Sequence, residues 1–364
     1  ILFYQVHQIF LLNLLEIDGS LGEGGGSILR LSAGYSILYN TPILIKNIRA
    51  NRQKPGLRMQ HLLGLNILAE LTGSNLSECK VGSTKISLHP NKVIKNKNIN
   101  INVPTAASIG LLLQPIQIAS LGLKDYEMIS ISINGGATFG KWAPSINYLE
   151  HVTYPIFKKS GLNLNIKTLK QGFYPKGGAM IQCSIEQPKE ELSPLNLTTL
   201  GEIDIIHGEI IITNQLKQNK SNIPQRIKNS VRSELKGKFA YELVLTEKWV
   251  DSLSPGVGLC LWAESNNNAY ISSGTLLGEP NLSSEQLGKI AVTDILKYIK
   301  HDIPIDNYLS DQLVPLIAYI NKPSKIKILE ITNHTRTNLE LIKWFSKRQY
   351  EIRKEENAFF IDFY

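Results

Sequence analysis

The sequence predicts an α+β fold made of helix-on-sheet layers, and three observations carry that expectation. Several segments alternate strictly between apolar and polar residues: Ile99, Ile101 and Val103; Ile129, Ile131 and Ile133; Leu162, Leu164 and Ile166. Side chains on a strand switch faces at every residue, so each segment predicts a half-buried strand. Helical patterns lie between them, over Ile28 to Asn40 and from about Arg58 to Leu71, where Met59, Leu62, Leu63 and Ile67 share a side. Strands and helices thus interleave along the chain, the pattern of helices laid against sheets.

At 364 residues, 43% apolar and 19% charged, the chain has the composition of a globular protein with a sizeable core. The polar run Gln187-Pro188-Lys189-Glu190-Glu191 and a second break at Glu279-Pro280-Asn281 frame a stretch without the glycine-rich motifs found before it. We expect an inserted small domain over 188–278, with 1–187 and 279–364 forming the main body and a helix running from Ser283 to about Lys300.

The formal net charge is +8, which suits a polyanionic partner, because Lys and Arg release counterions when they meet phosphates. Many basic proteins nevertheless bind no nucleic acid. Cys79, Cys183 and Cys260 are isolated, with neither metal-ligand spacing nor an even-numbered disulfide framework, and they fit a reducing, cytoplasmic compartment. The apolar run from Ile1 to Leu15 lacks the basic leader and cleavage site of a signal peptide and is expected to form an extra strand or arm. No uninterrupted apolar stretch reaches the ~18 residues of a membrane span, so no membrane partner is expected.

Five segments have the residue types for chemistry. Asp18 to Ser27 holds Gly19, Gly22, Gly24, Gly25 and Gly26 and leads into a helix containing Arg30. Glycines let a backbone approach a ligand closely, and N–H groups at a helix start favour an anion. Glu23 stands where a carboxylate would serve a divalent metal beside a phosphate. Arg49, Arg52, Lys54 and Arg58 then crowd one loop before a helix carrying Gln60 and His61; guanidinium groups hold phosphate oxygens by forked hydrogen bonds. Two glycine turns follow, Asn134 to Pro144 and Gly172 to Gly178, whose Lys141 and Lys176 add positive charge to a site if both open on one face. Tyr308 and Gln312 are four apart and share a helix face that suits a purine, with Pro315 kinking or delaying that helix. Last, a strand through Ile326 and Ile328 leads to Ile331-Thr332-Asn333-His334. Thr337 and Glu340 have capping-box spacing, so a helix should start there and leave His334 in the preceding turn. Neutral imidazole, with an ordinary pKa of about 6.5, is a competent nucleophile toward phosphorus.

In this order the segments resemble the RNA 3'-terminal phosphate cyclase family. The match runs through Asp18-Gly19 to Gly26, Ile48-Arg49 with Arg52, Pro55-Gly56-Leu57, Gln60-His61-Leu62, Gly172-Phe173-Tyr174-Pro175-Lys176-Gly177-Gly178, Tyr308-Leu309 with Asp311-Gln312, and His334 with Thr337-Asn338. It covers roughly residues 13 to 345. Ser27 departs from the glutamine common after the glycine run, and Thr335 and Arg336 stand where many relatives are apolar. The resemblance implies a large domain of three repeated four-stranded-sheet/two-helix units interrupted by a small α/β insert. It also implies ATP as co-substrate, Mg2+ or Mn2+, and an RNA 3'-phosphate end closed to a 2',3'-cyclic phosphate. His334 matches the nucleophile that carries AMP; Gln114, Pro144, Tyr308, Asp311 and Gln312 match the adenosine pocket. Arg30, Arg49, Arg52, Gln60 and His61 match phosphate- or RNA-binding positions, and Glu23 the metal-holding carboxylate. Two alternatives stay open from sequence: a non-catalytic, RNA-binding relative acting in ribosome assembly, and an enolpyruvyl transferase of similar repeated architecture.

Overall fold

The alternating segments become strands of four four-stranded sheets in a computed structural model that describes residues 14–22, 24–141, 143–217 and 222–364. The expected N-terminal arm and Glu23 lie outside the described residues. The architecture is α+β. The first sheet contains β1 (Leu15–Asp18), β2 (Ile43–Lys46), β3 (Asn75–Leu76) and β4 (Ile86–His89), with helices α1 (Ser27–Tyr39) and α2 (Met59–Thr72). The second contains β5 (Asn98–Ser108), β6 (Met128–Ala137), β7 (Leu164–Lys170) and β8 (Met180–Glu186). Its helices are α3 (Ile109–Ser120) and a run in which α4 (Ile146–Tyr148) passes through a π-helical turn into α5 (Tyr154–Lys159). After β9 (Asn196–Leu197) come β10 (Ile203–Thr213), α6 (Ile223–Leu235), β11 (Glu242–Val250), β12 (Val257–Ser265), β13 (Tyr270–Leu277) and α7 (Ser284–Lys300). The chain ends with α8 (Asn307–Tyr319), β14 (Ser324–Ile328), α9 (Asn333–Phe345), β15 (Tyr350–Glu355) and β16 (Ala358–Phe363).

Three sheets have one strand order. β1-β2-β4-β3, β5-β6-β8-β7 and β9-β14-β16-β15 each begin with a parallel pair, and their other pairings are antiparallel. β10 to β13 form the remaining sheet, ordered β11-β10-β12-β13, and fall in the chain between β9 and its partner β14. Parallel neighbours require a crossover, usually a helix. The turns that leave the carboxyl ends of β1, β2, β5, β6 and β14 therefore gather at the sheet ends where helices start; Arg49, Arg52 and Pro144 lie in such turns, Arg30, Gln60, His61, Gln114 and His334 on the helices that follow them, and Tyr308, Asp311 and Gln312 on α8.

Alternation decides which sheet face is dry. Along β5, Ile99, Ile101 and Val103 are buried while Asn98 and Asn100 face water. The helices fill one large apolar cluster between these faces. A second cluster lies on the β10–β13 sheet, where Ile206, Ile210 and Leu259 meet Ile227 and Val231 of α6 and Leu287, Ala291 and Ile295 of α7. Phe139, Phe173 and Ile211 join the second sheet to this one, with the two rings stacked at 5.3 Å. No helix among the described residues is long and apolar enough to cross a membrane.

Helix ends show where sequence signals compete. The helix predicted from Thr337 starts four residues earlier, at Asn333. Thr332 caps it by accepting the Thr335 N–H at 2.9 Å, and the Thr337 hydroxyl instead donates to Asn333 O at 2.8 Å. His334 therefore sits in the first helical turn rather than ahead of it. Pro315 neither delays nor ends α8, which runs on to Tyr319. Proline has no N–H for the carbonyl four residues back, here Asp311 O, and the Asn338 side-chain amide fills that place at 2.9 Å.

Asp306 caps α8 from a fully buried position, accepting the N–H groups of Tyr308 and Leu309 at 2.9 Å each, Ser272 N–H at 2.9 Å and the Tyr148 hydroxyl at 2.8 Å. Removing it deletes a cap and leaves buried donors unmatched. Asp306→Ala should lower the stability measured by urea unfolding by about 2–5 kcal/mol; a loss within ~0.5 kcal/mol of zero, the range of ordinary surface changes, contradicts this role.

Candidate active site

The glycine turn is shaped by what packs over it. Gly22 and Gly24 have φ of +63° and +56°, a left-handed backbone that suits glycine. A side chain on Gly22 would collide with the Thr337 hydroxyl of α9, one on Gly24 with the Asn51 amide, and one on Gly25 with the Arg52 guanidinium at 2.9 Å. On Gly26 it would overlap Nε2 of His61 and come within 2.9 Å of Arg30 Nη1. The turn thus lies bare between the arginine loop on one side and the start of the last helix on the other.

His61 is 3% exposed, in the first turn of α2. Its Nδ1 accepts the Arg58 backbone N–H at 3.1 Å. Burial, followed by the charges of Arg30, Arg49 and Arg58, pulls its pKa down to about 3. A neutral imidazole that accepts at Nδ1 carries its proton at Nε2, so His61 presents one N–H donor at Gly26. Beside it, half-buried Arg30 donates through Nε to Gln114 Oε1 at 3.1 Å, and burial pulls its pKa down to about 10, leaving it charged at neutral pH. Arg49, at φ +55°, points back into its own loop and donates to Lys54 O and Gly56 O at 2.8 and 3.0 Å. Arg52 and Gln60 stay at the rim, exposed and half-buried respectively.

His334 belongs to the third part. The residue after it, Thr335, donates its hydroxyl to the Asp311 carboxylate at 2.6 Å, and Thr332 does the same at 2.7 Å. Ser310 also meets the Thr335 hydroxyl at 3.0 Å. Asp311 thus fastens α8 to the start of α9. Two residues before Ser310, Tyr308 packs on Gly274 and meets Tyr148 edge to face at 6.1 Å. There a cleft of about 460 Å3 opens, lined by Lys141, Pro144, Tyr148, Gly274, Leu277 and Tyr308, with Lys141 paired to Glu279 across it at 2.7 Å. Gln114, Asp311 and Gln312 line a separate narrow crevice between α3 and α8.

The chain is similar to known proteins over nearly its whole length. The sequence pattern of the family described as RNA 3'-terminal phosphate cyclase matches residues 21–352. An RNA 3'-terminal phosphate cyclase of Thermococcus onnurineus is 34% identical over 94% of this chain and 97% of its own. The protein of that description from Pyrococcus abyssi is 34% identical over 94% and 96%, and that of Methanopyrus kandleri 31% over 95% and 97%. The chain belongs to the RNA 3'-terminal phosphate cyclase family.

Within this cyclase-family chain the predicted residues fall into three neighbouring groups. Arg30, Arg52 and His61 surround the glycine turn; Pro144 and Tyr308 share the cleft; Gln114, Asp311 and Gln312 share the crevice, and the Arg30–Gln114 bond links the first group to the last. The sequence motifs contain Asn51, Thr332 and Asn338 without pointing to a role for them, and Asp306 lies outside those motifs. Of these Thr332 and Asp306 had a local signal, each being a residue type that caps a helix start.

Neutral His61 makes stability depend on acid. Between about pH 6.5 and 3 the unfolded chain binds a proton there that the folded chain does not, so stability is complete above 6.5 and falls on acidification. The slope attributable to one such group is at most about 1.4 kcal/mol per pH unit. His61→Gln should flatten the dependence of the urea midpoint on pH across that window; a slope equal to the wild type's contradicts a buried, neutral His61.

Proposed function

We propose that the protein uses ATP to convert RNA 3'-phosphate ends to 2',3'-cyclic phosphates through AMP carried on His334. One observation supports this reading: the glycine turn touches Thr337 of α9, the helix that carries His334, through Gly22, and His61 and Arg30 through Gly26. In the proposed first step the His334 imidazole attacks the α-phosphorus, a P–N bond forms and pyrophosphate leaves. AMP then passes to the RNA 3'-phosphate. The neighbouring 2'-hydroxyl attacks that activated phosphorus, closes the ring and expels AMP.

Catalysis of this kind consists mainly of positioning and charge stabilisation. His61 supplies an N–H and Arg30 a lasting positive charge to phosphate oxygens lying over Gly24 to Gly26. Peptide N–H groups at the start of α9 add positive potential beside His334. Tyr308 and Pro144 offer flat apolar contact to a base in the cleft, and Gln114 and Gln312 offer amides to the nucleoside. Asp311 acts by holding α9. A divalent ion would shield phosphate charge; among the described residues no cluster of three or more His, Cys, Asp or Glu could hold one. We assign it instead to the triphosphate, with Glu23 as one carboxylate, the pattern usual for Mg2+.

In this reading the three sheets of equal strand order are the three repeats of the cyclase fold, and β10 to β13 belong to the inserted small domain. The burial of α7 in the second cluster favours ending that insert near residue 303 rather than at 278. A reducing, cytoplasmic setting fits the three free cysteines.

Protein incubated with α-labelled ATP and Mg2+ or Mn2+ should retain label in a stoichiometry near one, and His334→Ala should retain none. Wild-type protein that takes up no label contradicts the covalent step. A 3'-phosphate RNA treated with protein, ATP and metal should become resistant to phosphatase; sensitivity that persists at full labelling contradicts cyclisation.

A further inference from the structure

We propose that the tip of the β7–β8 hairpin, Tyr174 with Lys176, is a binding ledge for the single-stranded RNA that leads into the 3'-phosphate. The inference rests on the cyclase reading above, which leaves the hairpin without a role. Four observations support it.

Tyr174 is 78% exposed, the most open of the large apolar or aromatic residues among those described. Bases of every kind stack on exposed aromatic faces. The tip is also anchored. Gly177 N–H bonds Phe173 O at 2.8 Å, Lys176 N–H bonds Ser254 Oγ at 3.1 Å, and Phe173 is buried against Phe139 and Gly256. Tyr174 therefore stands on a supported turn.

The tip opens on the same side as the proposed phosphate site. β7 runs parallel in direction to β5 and β6, since both β6 and β7 pair antiparallel with β8. Its end thus lies with the start of α3, and a side chain on Gly177 would come within 3.0 Å of Ala106 Cα. From Ala106 the chain enters α3 and reaches Gln114, the partner of Arg30. At ~3.3 Å per extended residue and ~1.5 Å per helical residue, the hairpin base lies within roughly 20 Å of that pair, a few nucleotides away.

The ledge continues with the chemistry that a polynucleotide needs. Leu253, beneath Gly178, is half exposed, and one strand further on Lys217 lies over the Trp249 ring at 5.4 Å. Lys176 and Lys217 offer charge to backbone phosphates, and the +8 balance of the chain favours the same partner. Tyr174 and Lys176, with Leu253 beside them and the Lys217–Trp249 pair beyond, supply the stacking and positive charge of a sequence-tolerant, single-strand site.

The test compares two substrates, a dinucleotide 3'-phosphate and a 12-nucleotide RNA 3'-phosphate. Tyr174→Ala and Lys176→Ala should each raise KM for the long RNA about ten-fold, leaving kcat, dinucleotide cyclisation and self-labelling by ATP at wild-type values. Tyr174→Phe should keep the wild-type KM, because stacking needs the ring and not the hydroxyl. Fluorescence anisotropy with the labelled 12-mer should show the same loss of affinity, weaker at high salt for every form. Wild-type affinity and KM in both alanine variants overturn the ledge, as does an equal loss on the dinucleotide. A wild type that binds the 12-mer through Tyr174 but cyclises nothing supports the ledge and overturns the cyclase reading instead.

Discussion

The Asp311 carboxylate, holding the hydroxyls of Thr332 and Thr335 at 2.7 and 2.6 Å, governs the position of the last helix. Hydrogen bonds to an ionised acceptor are roughly twice as strong as neutral ones, and two converging on one group fix direction as well as distance. The backbone of the same residue takes the Asn338 amide at the carbonyl vacated by Pro315. From the far side, the buried Tyr35 hydroxyl of α1 donates to Asn338 Oδ1 at 2.9 Å, and Gly22 lies against Thr337. The first turn of α9 is thus clamped between α8 and the glycine turn, and His334 is held in it. Any chemistry shared by the amino-terminal glycines and a histidine more than three hundred residues away depends on that clamp.

The clamp works because sheets of one topology are used repeatedly with different turns. In each of the three, a parallel pair delivers its carboxyl ends to one edge. On the first sheet those ends carry bare backbone and guanidinium groups. The second sheet contributes Gln114, Pro144 and a hairpin. On the third, β14 leads to imidazole. Buried strands and helices supply the rigidity, and the candidate side chains sit in the connecting turns and on the helices, mostly near the ends that those turns lead into. The stacked Phe139 and Phe173, with Ile211, carry that edge onto the β10–β13 sheet.

The strands around Ile99, Ile129, Leu164 and Ile326 and the helices from Ile28, Arg58 and Ser283 were legible in the sequence, because alternation and helical period survive wherever one face is buried. The beginning of α9 was not. Thr337 and Glu340 have the spacing of a capping box, but Thr332 has Asp311 and Thr335 as partners, and a tertiary contact of that strength outweighs local spacing. Pro315 was misleading for a related reason: the missing N–H is compensated by an amide 23 residues downstream, which no window of local sequence contains. The basic loop was legible as a cluster of charge. The inward turn of Arg49 to Lys54 O and Gly56 O, while Arg52 reaches Gly25, follows from backbone φ and packing rather than from residue type. The identity of His61 was plain; its neutrality comes from burial among three arginines, which only the folded chain provides.

In the proposed reaction one nucleotide is shared by the glycine turn, the Arg30–His61 pair and His334. A crystal structure of the protein with ATP bearing a methylene bridge between its α- and β-phosphorus tests it most directly. The predicted result places the α-phosphorus about 3–3.5 Å from a ring nitrogen of His334, with the outer phosphates over Gly24 to Gly26 and the base in the cleft beside Tyr308. A triphosphate bound away from the glycine turn, or an imidazole turned away from phosphorus, would contradict it.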